Sequence, residues 1–185
     1  MQRNLFLWSL SSLFPLRSLA RDGRFTDDRK GFKVPVGEGR YHGHLRLQGV
    51  NANVIDLKIS GKDNDGGFAL FEQTSLSPGR GTPMHVHLMQ DEVFYVVEGQ
   101  YFFRVGADKF SLSAGDSIFL PRQVPHGWTQ ISEKGKMTVL FQPAGKMEEF
   151  FVAVSGLQHP PTPEEMRQLF AASDMKIVGP IVQPE

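Results

Sequence analysis

The chain has 185 residues, with 20 Lys and Arg against 20 Asp and Glu, six His and no cysteine. That length buries a sizeable single core. Zero net charge leaves no field to hold a phosphate backbone or an anionic membrane surface, so nucleic acid is not an expected partner. Without cysteine there are no disulfides, thiolate ligands or cysteine nucleophile, and the redox compartment stays open. Nineteen Gly, twelve Pro and many aromatics suit short strands joined by tight turns, and an all-β fold is expected.

The amino terminus reads in two ways. Leu5 to Phe14 is a short apolar run after a weakly basic start, and Ser18-Leu-Ala20 offers small residues where a signal peptidase reads. Residues 1–20 are thus either an export signal or an apolar arm that packs on the protein or on a second subunit. The run is too short to span a bilayer. Localisation follows the choice: periplasmic if exported, otherwise cytoplasmic. Residues 21–50 form an amino-terminal extension. Within it His42 and His44 make a His-x-His pair with no carboxylate at a fitting interval, and they read as structural.

Strands begin after that. Val54–Ile59 alternates apolar and polar residues, Gly61–Gly67 is a turn cluster, and Phe68–Thr74 resumes a strand, which makes a hairpin. Next comes Pro83-Met-His-Val-His87. Side chains on a strand alternate with a period of two, so His85 and His87 share one face and can grip one ion. A lone pair of this kind is more often structural, but Gln90-Asp91 is polar enough to turn the chain and bring Glu92 back beside the histidines as a third ligand. Further strands are expected over residues 93–98, 101–105, 109–112, 116–120, 127–131 and 137–142, each bounded by turn residues, in the manner of a sandwich or jelly roll.

The period then changes. Lys146 to Val154 spaces apolar residues on one helical face, with Gly156 placed to end it. Thr162, Pro163 and Glu165 supply a hydroxyl cap, a first-turn proline and the acidic residue of a capping box, so a second helix should run to about Ala172. These helices are expected to cover one sheet, with Phe150, Phe151, Leu169 and Phe170 as core residues. His159, beside Pro160, reads as an exposed loop residue.

The spacing of the central segment resembles the cupins. Their first motif, G-x5-H-x-H-x(3,4)-E-x6-G, is matched at Gly79, His85, His87, Glu92 and Gly99. Their second, G-x5-P-x-G-x2-H-x3-N, is matched at Gly115, Pro121 and His126, with Gln123 in place of the glycine and Gln130 in place of the asparagine. The resemblance implies a single-domain jelly-roll β-barrel over residues 51–143, followed by a helical segment over 144–185 that packs on it. It also implies a metal held by His85, His87, Glu92 and His126. Three imidazoles and a carboxylate suit one divalent transition ion, namely iron, manganese, nickel, cobalt, copper or zinc, without selecting among them.

If Glu92 faces inward so should Phe94 and Val96, and with His126 so should Trp128 and Gln130. These four are the candidate substrate-pocket residues, and either an apolar ligand or simple packing accounts for them. Within the cupins the segments Pro83–His87, Asp91–Gly99, Pro121–His126 and Phe141–Gly145 look like the small proteins grouped with quercetin dioxygenase. That likeness implies dioxygen chemistry on a small aromatic or enolisable substrate, with Glu92 as ligand and general base. Another metal-dependent enzyme, an isomerase or lyase, and a non-catalytic small-molecule binder are the alternatives. Family habit also implies a homodimer in which the amino-terminal arm or an edge strand crosses between subunits.

Overall fold

The structure is a computed structural model that describes residues 30–47 and 52–184. The export signal or apolar arm read over residues 1–20 lies outside the described residues, as does much of the extension over 21–50. Every element below belongs to the unit that begins at Val34.

Two antiparallel sheets face each other. The first contains β1 (Leu45–Arg46), β2 (Val54–Ile59), β3 (Ala69–Ser75), β5 (Asp91–Glu98), β8 (Ser117–Leu120) and β10 (Gly135–Gln142), in the order β1-β2-β3-β10-β5-β8. The second contains β4 (Pro83–His87), β6 (Gln100–Val105), β7 (Asp108–Ser113), β9 (His126–Gln130) and β11 (Met175–Ile181), in the order β11-β4-β9-β6-β7. This is the jelly-roll arrangement, although hydrogen bonds among the described strands do not close the two sheets into one ring.

Period-two patterning fixes which face is buried. Along β3 and β10 every second residue is buried, so Ala69, Phe71, Gln73 and Ser75 face Met137, Val139 and Phe141 from neighbouring strands of one inner surface. Across the gap stand Tyr101, Phe103 and Trp128 of the second sheet, all in the same apolar cluster. Burial of each such side chain contributes about 1.5–3 kcal/mol. Tyr101 carries its hydroxyl inward and donates it to Ser75 Oγ at 2.8 Å, which satisfies a group that would otherwise be costly to bury.

Two helices follow, α1 (Met147–Ser155) and α2 (Pro163–Ala172). The expected capping box at the start of α2 is present: Thr162 Oγ1 accepts from the Glu165 N–H, and Glu165 accepts from the Thr162 N–H at 2.7 Å. Gly156 does end α1, but with φ −78°, so the left-handed freedom of glycine is not used there.

Two elements depart from the sequence reading: β1 lies inside the expected amino-terminal extension, where Leu45 and Arg46 pair with Ile55 and Val54 of β2, and the other is at the far end of the chain. The carboxy-terminal segment is not only helical, because Met175–Ile181 forms a strand that pairs antiparallel with β4, placing Met175 opposite His87 and Ile177 opposite His85. Gly179 and Pro180 inside it argue against a strand by propensity. At a sheet edge both are tolerated, and the ladder shifts register between Ile177 and Ile181. No helix among the described residues is long and apolar enough to cross a membrane.

Candidate metal centre

Four side chains that could hold a metal ion come together from both sheets. His85 and His87 lie on the same face of β4, and His85 sits directly opposite His126 of β9. Glu92, second residue of β5, comes from the other sheet, between Phe141 of β10 and Leu120 of β8 in register. All four are at most 5% exposed. One ligand atom from each lies within 4.8 Å of every other.

Outside bonds decide which atoms point inward. His85 Nδ1 donates to the Pro83 carbonyl at 2.8 Å and His126 Nδ1 to the Val124 carbonyl at 2.9 Å. A carbonyl only accepts, so each neutral ring carries its proton on Nδ1 and presents the Nε2 lone pair. Burial first, and the neighbouring histidines second, push His85 down to about 3; burial then His126 do the same to His87. Both rings are therefore uncharged donors at neutral pH.

The fit to a cation follows from what remains unsatisfied. Glu92 Oε2 and His126 Nε2 are buried without a hydrogen-bond partner, 3.2 Å apart. Two lone pairs facing each other at that distance in a dry site repel, unless a positive ion stands among them. The set of three imidazoles and one carboxylate can bind a divalent transition ion and leaves its identity open.

His85, His87 and Glu92 open onto a cavity of about 90 Å³ with a mostly apolar wall. Phe94 and Trp128 line it from the sheets, and Phe150, Phe151 and Phe170 line it from the two helices. Phe170 stands edge-on to the His85 ring, with centroids 5.5 Å apart at 86°. The helices thus form part of the wall opposite the ligands, and Phe150, Phe151 and Phe170, expected only as core, face the site. Leu169 does not line the cavity.

Residues 73–142, which hold all four ligands, match the family model described as "Cupin domain". That segment is a cupin domain. It is similar to an uncharacterized protein of Methanocaldococcus jannaschii, 33% identical over 48 residues, which are 26% of this chain and 38% of that one. An uncharacterized protein of Streptomyces coelicolor is 35% identical over 54 residues, 29% of this chain and 51% of that one. The matched stretches therefore span about half or less of those relatives' own lengths. Among solved structures, an RmlC-like cupin from Shewanella frigidimarina superposes with a TM-score of 0.51 at 21% identity, covering 64% of this chain and 96% of that one, a likeness of fold.

The cupin motif positions have physical jobs here. Gly99 has φ +89°, and a Cβ on it would come within 2.3 Å of the Lys134 carbonyl oxygen, so the turn after β5 needs glycine. Gln123, standing at a motif glycine, also has positive φ, +64°. It takes up the left-handed conformation despite its side chain, and its N–H donates to the His87 carbonyl at 2.8 Å.

Of the other candidate residues, Val96 is buried in the core one strand repeat beyond Phe94 and does not line the cavity. Gln130 is buried too but turns its amide to the backbone: Oε1 accepts from the Ser77 N–H at 2.9 Å and Nε2 donates to the Ser132 carbonyl at 2.8 Å. It is a peg between loops. His42 bonds Glu148 at 2.8 Å and His44 bonds Asp56 at 2.7 Å, both far from the four ligands in role, as a structural pair should be. His159 is exposed.

Gln90 was missed by sequence reasoning. It is 1% exposed, its Oε1 has no partner, and the same holds for His87 Nδ1. No bond of normal length joins them, yet the Gln90 amide acts on the His87 ring and favours a proton there. His87 is the one ring of the three without a backbone carbonyl on Nδ1. A Cβ at Gly145 would come within 2.0 Å of Gln90 Nε2, so the pocket for this amide is tight. The available signal was only that Gln90 sits between ligand strands.

Proposed function

We propose that this cupin is a metal-dependent dioxygenase acting on a small aromatic or enolisable compound, with His85, His87, Glu92 and His126 holding the ion and Glu92 also serving as general base. The observation that supports it best is the Glu92 carboxylate, buried, with Oε2 unbonded, on the wall of an apolar cavity beside three imidazoles. When bound, a divalent ion supplies Lewis-acid stabilisation of a substrate oxygen and open positions for small ligands.

The protein's own residues do the rest. Glu92 takes the proton from the substrate hydroxyl onto its carboxylate, a step typically contributing about 10²–10⁴ in rate. Phe94, Trp128 and Phe170 keep water away, which strengthens every charge interaction at the site. A homodimer belongs to the same reading. Tyr95, Val97 and Phe119 lie exposed on the outer face of the first sheet, and light scattering that gives the monomer mass at micromolar concentration would remove this part.

The test is metal reconstitution followed by oxygen-uptake assays over flavonols and one-ring phenols. Uptake that needs both metal and substrate is expected, with Glu92→Gln losing turnover at least a hundred-fold while His87→Ala loses metal and turnover together. Substrate conversion with no oxygen consumed favours the isomerase or lyase alternative. Binding with no conversion favours a small-molecule binder.

A further inference from the structure

We infer that the site selects its ligand by charge and size: a one-ring, largely apolar molecule with a single ionisable hydroxyl, and not a dianion. This rests on the four ligands holding a divalent ion, but not on dioxygen chemistry. Among the described residues no lysine or arginine lines the cavity, and its only charged wall residue is Glu92. The polar remainder is occupied. Gln73 Nε2 donates to Ser75 Oγ at 2.9 Å, and Thr82 Oγ1 accepts from the Trp128 N–H at 3.3 Å.

Charge arithmetic then decides. A divalent ion and the Glu92 carboxylate leave one net positive charge, which one phenolate or enolate neutralises. A dicarboxylate or a phosphate ester brings a second negative charge into a wall of Phe94, Phe150, Phe151 and Phe170, where nothing positive meets it. An uncompensated buried charge is strongly unfavourable. Glu92 passes the hydroxyl proton on to solvent and returns to the carboxylate, so in the bound state one ionisable group on the ligand is both required and sufficient.

Size points the same way. A water needs roughly 10–15 Å³ of such space, so a cavity of about 90 Å³ holds on the order of six to nine water-sized groups. One ring fills it. A three-ring flavonol requires Phe150, Phe151 or Phe170 to move.

The experiment uses the zinc-loaded full chain, since zinc has no redox chemistry and leaves the probes unchanged. Binding of maltol, 3-hydroxyflavone and oxalate is followed by calorimetry and by the fluorescence of Trp128, which lines the cavity. Maltol, a single ring with one enolic hydroxyl beside a carbonyl, is expected to bind at least ten-fold tighter than oxalate and tighter than 3-hydroxyflavone. Thr82→Lys, which sets an ammonium on the wall, is expected to narrow the maltol–oxalate gap ten-fold at unchanged zinc content.

Oxalate binding equal to or tighter than maltol overturns the charge argument, as does an unchanged gap in a zinc-replete Thr82→Lys protein. Preference for 3-hydroxyflavone overturns the size limit, and a zinc-loaded protein that binds none of the three overturns the whole inference. None of these outcomes depends on turnover, so the dioxygenase reading fails separately, by absence of oxygen uptake.

Discussion

Glu92→Gln is expected to make the metal-free protein more stable than the natural one. Glu92 Oε2 and His126 Nε2 lie 3.2 Å apart, both buried and both without a hydrogen-bond partner. The Val124 carbonyl holds the proton of a neutral His126 ring on Nδ1, so nothing lies between the two facing lone pairs. An amide of the same shape puts an N–H in the place of Oε2, and the contact becomes a hydrogen bond. Leaving a buried polar atom unsatisfied costs about 1–3 kcal/mol. For a domain of this size each kcal/mol moves Tm by about 2–4 °C, so a rise of roughly 3–10 °C is expected. The assay is thermal unfolding after chelation, at pH 8, above the ordinary histidine range. Adding metal should then narrow the gap, because an ion at a hundred times its Kd stabilises the natural protein by about 2.7 kcal/mol and the variant, without the anionic ligand, gains less. A chelated Glu92→Gln protein that melts below the natural one would refute the reasoning, since it would mean that His126 and Glu92 form an ion pair when no metal is present.

Three further outcomes are expected. Gln90→Leu should weaken metal affinity about 10–100-fold by removing the buried amide that acts on the His87 ring, measured by competition with a chromogenic chelator; unchanged affinity would assign Gln90 to packing alone. Gln123→Gly should raise stability by about 0.5–1 kcal/mol in denaturant melts, because a left-handed non-glycine residue costs about 1–2 kcal/mol and glycine's own flexibility returns part of that; a loss would show that the Gln side chain has a role of its own. Burial pushes Glu148 up, but the Ser60 hydroxyl, His42 and Lys62 together hold it below its ordinary 4.5. A lowered folded value contributes stability that is present above that pH and lost as pH falls through the folded value. Glu148→Gln should therefore cost about 1–2 kcal/mol at pH 7 and nothing once both proteins are acidified past that range, and a gap that stays constant down to pH 2 would contradict this.

The sequence alone determined the features whose causes are local. Period-two alternation put His85 and His87 on one face, and motif spacing added Glu92 and His126. Turn residues bounded the strands from Val54 to Gln142, and Thr162, Pro163 and Glu165 set the start of α2. Apart from His126, which came from the likeness to cupins, each depends on residues within a few positions of one another, where strand pleat, helix caps and turn sterics act. Tertiary structure decided what depends on distant partners. Met175–Ile181 became a strand because β4 offered it an open edge, against its own Gly and Pro. Phe150, Phe151 and Phe170 belong to or pack against the core as expected, and they also line the cavity, because α1 and α2 fold back over the end of the core that holds the four candidate ligands. Facing inward was not enough to place a residue at the cavity: Val96 lies one repeat too far along its strand, and the Gln130 amide is drawn away by the carbonyls of Ser132 and Ser75. Alternation tells which side of a sheet a residue takes, whereas burial and hydrogen-bond demand across the whole fold decide what it meets there.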